Sequence, residues 1–188
     1  AILAYVLNDD KNAFIADVTA VLEHYPKQSL DVLMNLVDSH DTARAITVLS
    51  GVKPPYSKKD RADFTLSCEQ YDLAKRRLKV ASALQYTLPG VPCVFYGDEA
   101  GKQGFEDPLN RGTYPWGRED TELVEHYRAL GKIREQYKDL LQGETHFIHD
   151  ADKLVFERVC ADGVLRVESQ GLGLSISVNG KVVMSINK

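Results

Sequence analysis

Two short apolar runs, each ending abruptly in polar residues, constrain this chain more than any other feature. The first covers residues 32–37 (VLMNLV) and stops at Asp38-Ser39-His40-Asp41-Thr42; the second covers residues 91–96 and stops at Gly97-Asp98-Glu99. Runs of this length with apolar side chains on both faces read as buried strands of a parallel sheet. Parallel strands need a crossover, and residues 69–88 supply a helical one. Leu73, Leu78, Val80, Ala81, Leu84 and Leu88 alternate there with Lys75, Arg76, Arg77 and Lys79, and Pro89-Gly90 ends the helix. Strand, helix, strand predicts α/β architecture.

The flanking segments extend the pattern. Residues 1–7 are apolar with no capping residue before them, so the chain is expected to begin inside an element. Residues 12–24 space Phe14, Ile15, Val18, Val21 and Leu22 at helical intervals before Tyr25-Pro26. A short helical turn is expected over residues 43–49, a solvated loop from Pro54 to Asp63, and a long Gly- and Pro-containing loop over residues 100–117. Long loops in compact domains usually carry function. Residues 120–137 predict another helix, with Leu123, Tyr127, Leu130 and Ile133 on one face. At Gly143 the period changes from 3.6 to 2, and five short alternating runs follow, the last two joined by Asn179-Gly180, a hairpin signal.

Two domains are therefore expected, residues 1–143 and residues 144–188. A (β/α)8 barrel takes ~250 residues, so the first part, with two strands, predicts only the C-terminal portion of such a barrel, from about helix 6 to helix 8. A small antiparallel β domain follows. By this arithmetic the chain is expected to be a truncated piece.

Composition narrows the partners. The chain has 188 residues, 23 basic and 27 acidic, for a net charge of −4. With 44% hydrophobic and 27% charged residues it is globular rather than disordered. A mildly acidic chain has no surplus charge for phosphates, so nucleic acid is not an expected partner. No run approaches the ~20 apolar residues of a membrane span, and no basic segment leads into an apolar one as in a signal peptide. Cys68, Cys93 and Cys160 are too sparse for a disulfide framework or zinc site, and Cys93 reads as an inert core thiol. A reducing, cytoplasmic setting is expected, with no metal or cofactor held by this chain and calcium elsewhere in the parent protein left open.

Three groups of residues could carry chemistry. His40 and Asp41 follow the first strand, where a barrel's active site lies; alternatively Ser39, Asp41 or Thr42 caps the helix beginning near Ala43. Asp98 and Glu99 are a tempting carboxylate pair, but neighbours on an extended backbone point to opposite faces, which favours loop capping. Asp107 and Arg111 lie four apart in the long loop, with Tyr114 and Trp116 close behind. Carboxylate, guanidinium and aromatic faces suit sugar recognition; a loop salt bridge around Pro108 explains the pair equally well. The basic face of the long helix reads as solvated surface.

The string Asn35-Leu-Val-Asp-Ser-His-Asp-Thr-Ala-Arg44 resembles the fourth signature region of the α-amylase glycoside hydrolase family, in its neopullulanase and cyclomaltodextrinase branch. Pro89-Gly-Val-Pro-Cys-Val-Phe-Tyr-Gly-Asp-Glu99 resembles that family's strand-eight region, and Asp107-Pro-Leu-Asn-Arg111 with Tyr114-Pro-Trp116 the loop after it. The resemblance implies a retaining hydrolase of α-1,4-glucosidic bonds in malto-oligosaccharides, cyclodextrins, pullulan or starch. It implies that Asp41 is the transition-state stabiliser and that His40, Asp107, Arg111 and, more weakly, Arg44 bind substrate. It also implies that nucleophile and acid/base lie upstream, on strands four and five, so this chain alone is expected to be inactive and to self-associate through open strand edges. The alternatives are a non-catalytic amylase-like protein, or a carbohydrate-binding protein using residues 144–188. Retention of four sugar-ligand positions argues against the first. The second lacks a stacking platform, since that segment has Phe147 and Phe156 but no Trp or Tyr.

Overall fold

The structure, a computed structural model, describes residues 1–187. Helices α1 (Ile2–Asn8), α2 (Lys11–His24) and α3 (Lys27–Leu30) precede strand β1 (Met34–Leu36). Helices α4 (Ala45–Leu49), α5 (Lys58–Ala62) and α6 (Cys68–Thr87) lead to β2 (Val91–Cys93). The long loop follows, then α7 (Thr121–Gln136), α8 (Lys138–Leu141) and five strands: β3 (Glu144–Ile148), β4 (Leu154–Cys160), β5 (Gly163–Gln170), β6 (Gly173–Val178) and β7 (Lys181–Ile186).

The crossover helix starts on a capping box. Ser67 Oγ accepts from Gln70 N (3.2 Å) while the Gln70 side chain accepts from Ser67 N (2.9 Å). Its apolar stripe, Ala74, Leu78, Ala81 and Leu84, is fully buried. From the same helix Gln85 donates to the carbonyls of Asn35 (2.8 Å) and Cys93 (3.0 Å), and Asn35 donates back to that of Pro89 (2.8 Å). These bonds hold β1 and β2 side by side, parallel, with Met34 opposite Val91 and Leu36 opposite Cys93. Gly90 makes the close approach possible: at φ 104° a Cβ would lie 2.3 Å from the Leu33 carbonyl oxygen.

The two strands are shorter than the apolar runs predict, and the first run is buried on one face only. Val37 is 7% exposed, but Val32 is 70%, Met34 64% and Leu36 49% exposed. Side chains alternate across a strand, so the face carrying Asn35 and Val37 meets α6 while that of residues 32, 34 and 36 is bare. Periodicity reports that a face is apolar, not that a partner covers it. Cys93 is accordingly half-buried, not a core thiol.

Two further expectations change. The predicted solvated loop contains α5, which Ser57 caps through Asp60 N (3.0 Å). The basic face of α6 is also not free surface. Lys75 pairs with Asp120 (3.3 Å) and Glu122 (2.8 Å), Lys79 pairs with Glu122, and Arg77 donates to the Leu49 carbonyl (2.7 Å). The two lysines face the start of α7, which α6 packs against, so their partners come from the next helix.

The C-terminal strands form an antiparallel meander in the order β3-β4-β5-β6-β7. Asn179 and Gly180 both take positive φ (48° and 80°), as a tight hairpin demands. Leu154, Phe156, Leu165, Val167, Leu174 and Ile176 point inward and join the helices in one continuous core. Phe14 of α2 packs edge-on to Phe147 of β3, with ring centroids 6.4 Å apart. Arg158, 1% exposed, reaches out of β4 and donates to the carbonyls of Thr87 (2.9 Å), Gly143 (3.0 Å) and Leu141. Those carbonyls sit at the C-terminal ends of α6 and α8, where helix dipoles favour a cation.

Candidate active site

The capping question after β1 resolves in an unexpected way. Asp38, 5% exposed, accepts from Ala45 N (2.8 Å) and thereby caps α4. Ser39 and Thr42 close a small turn on each other, with Ser39 N donating to Thr42 Oγ1 at 2.9 Å. That leaves the His40 and Asp41 side chains pointing outward, 66% and 70% exposed. His40 Nε2 lies 3.2 Å from Asp41 Oδ2.

The long loop brings the second pair to the first. Arg111 Nε is 2.7 Å from Asp107 Oδ1 and 3.2 Å from the His40 carbonyl oxygen, while its Nη2 is 3.6 Å from Asp41 Oδ1. One guanidinium thus spans two carboxylates from separate loops. Four candidate residues, His40, Asp41, Asp107 and Arg111, form one open polar cluster rich in the donors and acceptors that hydroxyl groups use. Tyr114 and Trp116 pack against each other on the same loop at a tilt of 50°, ring centroids 4.5 Å apart, with Trp116 80% exposed.

Arg44 does not join them. It is fully buried, which corrects the expectation of a substrate ligand. Its Nε donates to the Asn110 carbonyl (2.8 Å), its Nη1 to the Tyr96 carbonyl (2.6 Å), and Nη1 lies 3.4 Å from Asp98 Oδ1. The guanidinium plane lies over Phe95 (3.9 Å to the centroid) and Tyr96 (4.6 Å). An arginine three residues after His-Asp looks like a ligand in sequence; only the position of the long loop turns it inward.

Asp98 and Glu99 do not converge on the cluster either. Glu99 accepts from Gly97 N (2.8 Å). Asp98 is 1% exposed beside the buried Asp38, and neither Asp38 Oδ1 nor Asp98 Oδ2 has a hydrogen-bond partner. Two buried carboxyl groups beside a single arginine favour keeping one of them protonated. Burial, then Asp38, pushes Asp98 up to about 9 against the opposing pull of Arg44, and burial raises Asp38 as well. The same surroundings lower Lys102, through burial and then Arg44. Sequence reasoning missed Asp38 and Asn110. Asn110 is fully buried, and its Nδ2 donates to the carbonyls of His40 (2.7 Å) and Thr42 (2.7 Å). The only cue was its place inside the Asp107–Arg111 motif.

No family model matches the chain. Individual relatives do. The amylopullulanase of Thermoanaerobacter thermohydrosulfuricus is 38% identical over 145 residues, which is 77% of this chain and 9% of that protein. The cyclomaltodextrinase of Geobacillus thermopakistaniensis is 32% identical over 158 residues, 82% of this chain and 23% of that protein. A solved cyclomaltodextrinase superposes with a TM-score of 0.72 at 27% identity, over 90% of this chain and 27% of that one. The chain belongs to the α-amylase family.

Within the α-amylase fold the β1-α6-β2 unit is part of the C-terminal portion of the (β/α)8 barrel, and the five-stranded sheet is the β domain after it. The chain spans under a tenth of the amylopullulanase and under a quarter of the cyclomaltodextrinase. Among the described residues no helix is long and apolar enough to cross a membrane, and no cluster of side chains is suited to a metal ion.

Proposed function

We propose that this chain supplies the sugar-holding and charge-stabilising side of a retaining α-glucan hydrolase active site. The whole protein, in this reading, cleaves α-1,4-glucosidic bonds in malto-oligosaccharides, cyclodextrins, pullulan or starch. Asp41 stabilises the oxocarbenium-like transition state, while His40, Asp107 and Arg111 hold sugar hydroxyls. The observation that carries this reading is the Arg111 bridge between Asp41 and Asp107, which gathers residues from two loops at one surface. The names of the relatives, amylopullulanase and cyclomaltodextrinase, support it.

Retaining hydrolysis needs a nucleophile and an acid/base about 5 Å apart across the scissile bond. Asp41 and Asp107 are both committed to Arg111 and take neither role; the covalent pair belongs to other parts of the whole protein. The chain therefore binds malto-oligosaccharide without cleaving it. Calorimetric titration with maltoheptaose should show binding that Arg111→Ala reduces at least tenfold, the equivalent of one lost charge-assisted hydrogen bond. A reducing-sugar assay on starch, pullulan and cyclodextrin should show no turnover. Turnover by this chain, or binding indifferent to Arg111→Ala, refutes the assignment.

The bare face of β1 and the open edges of both strands support self-association between copies of this chain. A sedimentation profile of monomer alone at micromolar concentration overturns that part.

A further inference from the structure

The direct contacts between the two loops at the surface are an exposed Arg111–Asp41 ion pair and an exposed hydrogen bond from Arg111 to the His40 carbonyl, which contribute about 1 kcal/mol or less each. That is too little to order two loops against the entropy of fixing their backbones, about 1–2 kcal/mol per residue. Something beneath the surface has to hold them. We propose that Arg44 is a positioning residue whose buried guanidinium, together with Asn110, clamps the loop carrying His40 and Asp41 to the loop carrying Asp107 and Arg111.

The geometry assigns each part of the clamp. Arg44 belongs to the first loop and reaches three points across it: the Asn110 carbonyl, the Tyr96 carbonyl and Asp98. Its backbone N–H donates to the Gly104 carbonyl (2.9 Å), and Gly104 N in turn donates to Thr47 Oγ1 (3.0 Å). Asn110 returns the connection through two bonds to the carbonyls that flank Asp41, those of His40 and Thr42. Only a planar fork lying on the Phe95 ring serves all three acceptors at once; an ammonium on a flexible stem is a point charge and serves one or two. The charge also balances. Arg44 faces Asp38 and Asp98, with Lys102 nearby and Tyr127 of α7 behind the carboxyls, and one cation suffices when one of the two aspartates keeps its proton.

The inference rests on the proposed function only for calling these loops the site. Its test needs no sugar, so the two readings fail separately. Hydrogen–deuterium exchange of the full chain, read by mass spectrometry at pH 6.5, compares wild type with Arg44→Lys and Asn110→Ala. Each variant should exchange about tenfold faster in residues 38–43 and 104–112 together, the effect of losing one charge-assisted hydrogen bond in Arg44→Lys or two neutral ones in Asn110→Ala. Exchange in α2, α7 and β3–β7 should stay unchanged. Trp116 is the sole tryptophan and sits on the second loop, so its fluorescence anisotropy should fall in the same variants. Wild-type loop exchange in Arg44→Lys overturns the clamp, and so does a rise spread evenly over the chain. If Arg44→Lys does not fold, Asn110→Ala decides by the same two criteria. A chain whose loops respond as expected but which binds no maltoheptaose refutes the proposed function and leaves the clamp standing.

Discussion

Replacing Asp98 with asparagine isolates the proton that Asp98 holds beneath the site. In the native chain Asp98 holds its proton up to about pH 9, because burial and Asp38 disfavour a second charge. An unfolded aspartate releases it near pH 4. Between those values the native state binds one proton more than the unfolded state, so stability falls as pH rises, by at most about 1.4 kcal/mol per pH unit. From pH 7 to 8.5 that is about 2 kcal/mol, or roughly 4–8 °C in melting temperature for a chain of this size. The amide introduced by Asp98→Asn keeps both hydrogen-bonding roles, donating to Asp38 and accepting from Arg44, but has no proton to lose. Urea titrations followed by circular dichroism at pH 7 and 8.5 give the two free energies directly. The variant should approach wild type only near pH 4, already exceed it at pH 7, and widen that lead by about 2 kcal/mol at pH 8.5. Parallel pH dependences of wild type and Asp98→Asn would mean that Asp98 holds no such proton, and the electrostatic account of the buried cluster would fall with it.

On the acid side, His126 of α7 controls a different window. Its Nε2 sits 2.9 Å from Ser82 Oγ, and burial, helped by Lys79, lowers it to about 4. The unfolded ring takes up its proton near pH 6.5, so stability should fall as pH drops from 6.5 to 4, and His126→Gln should flatten that limb in the same urea assay. Arg158→Met leaves three buried carbonyls without this donor. It should cost about 3 kcal/mol in chemical denaturation; a loss under ~1 kcal/mol contradicts its place as the tie between sheet and helices. Gly90→Ala forces a side chain into the Leu33 carbonyl at positive φ. The variant should unfold at a urea concentration lower by about 1 M, given a cost of about 2 kcal/mol and ordinary denaturant slopes.

The relation between sequence and site is uneven across the candidates. Asp107 and Arg111 are neighbours on their own loop, where the short turn over residues 108–111 brings them together. Their meeting with His40 and Asp41 depends on Asn110 and Arg44, whose bonds run to carbonyl oxygens and leave no trace in residue type. Asp38 illustrates the same limit. As the polar residue ending an apolar run it reads as ordinary loop, yet it caps α4 and helps push the Asp98 pKa up.

Sequence by itself determined the order of elements: a capped twenty-residue helix between two apolar runs, then an alternating pattern broken at Asn179-Gly180, because helix caps, turn residues and periodicity are local properties. The tertiary structure alone decided which surfaces are covered and which polar groups meet. It left one face of β1 bare, turned Arg44 inward and joined the β sheet to the helices in a single core. Burial and long-range hydrogen bonding depend on what lies across a gap, and no local pattern encodes that.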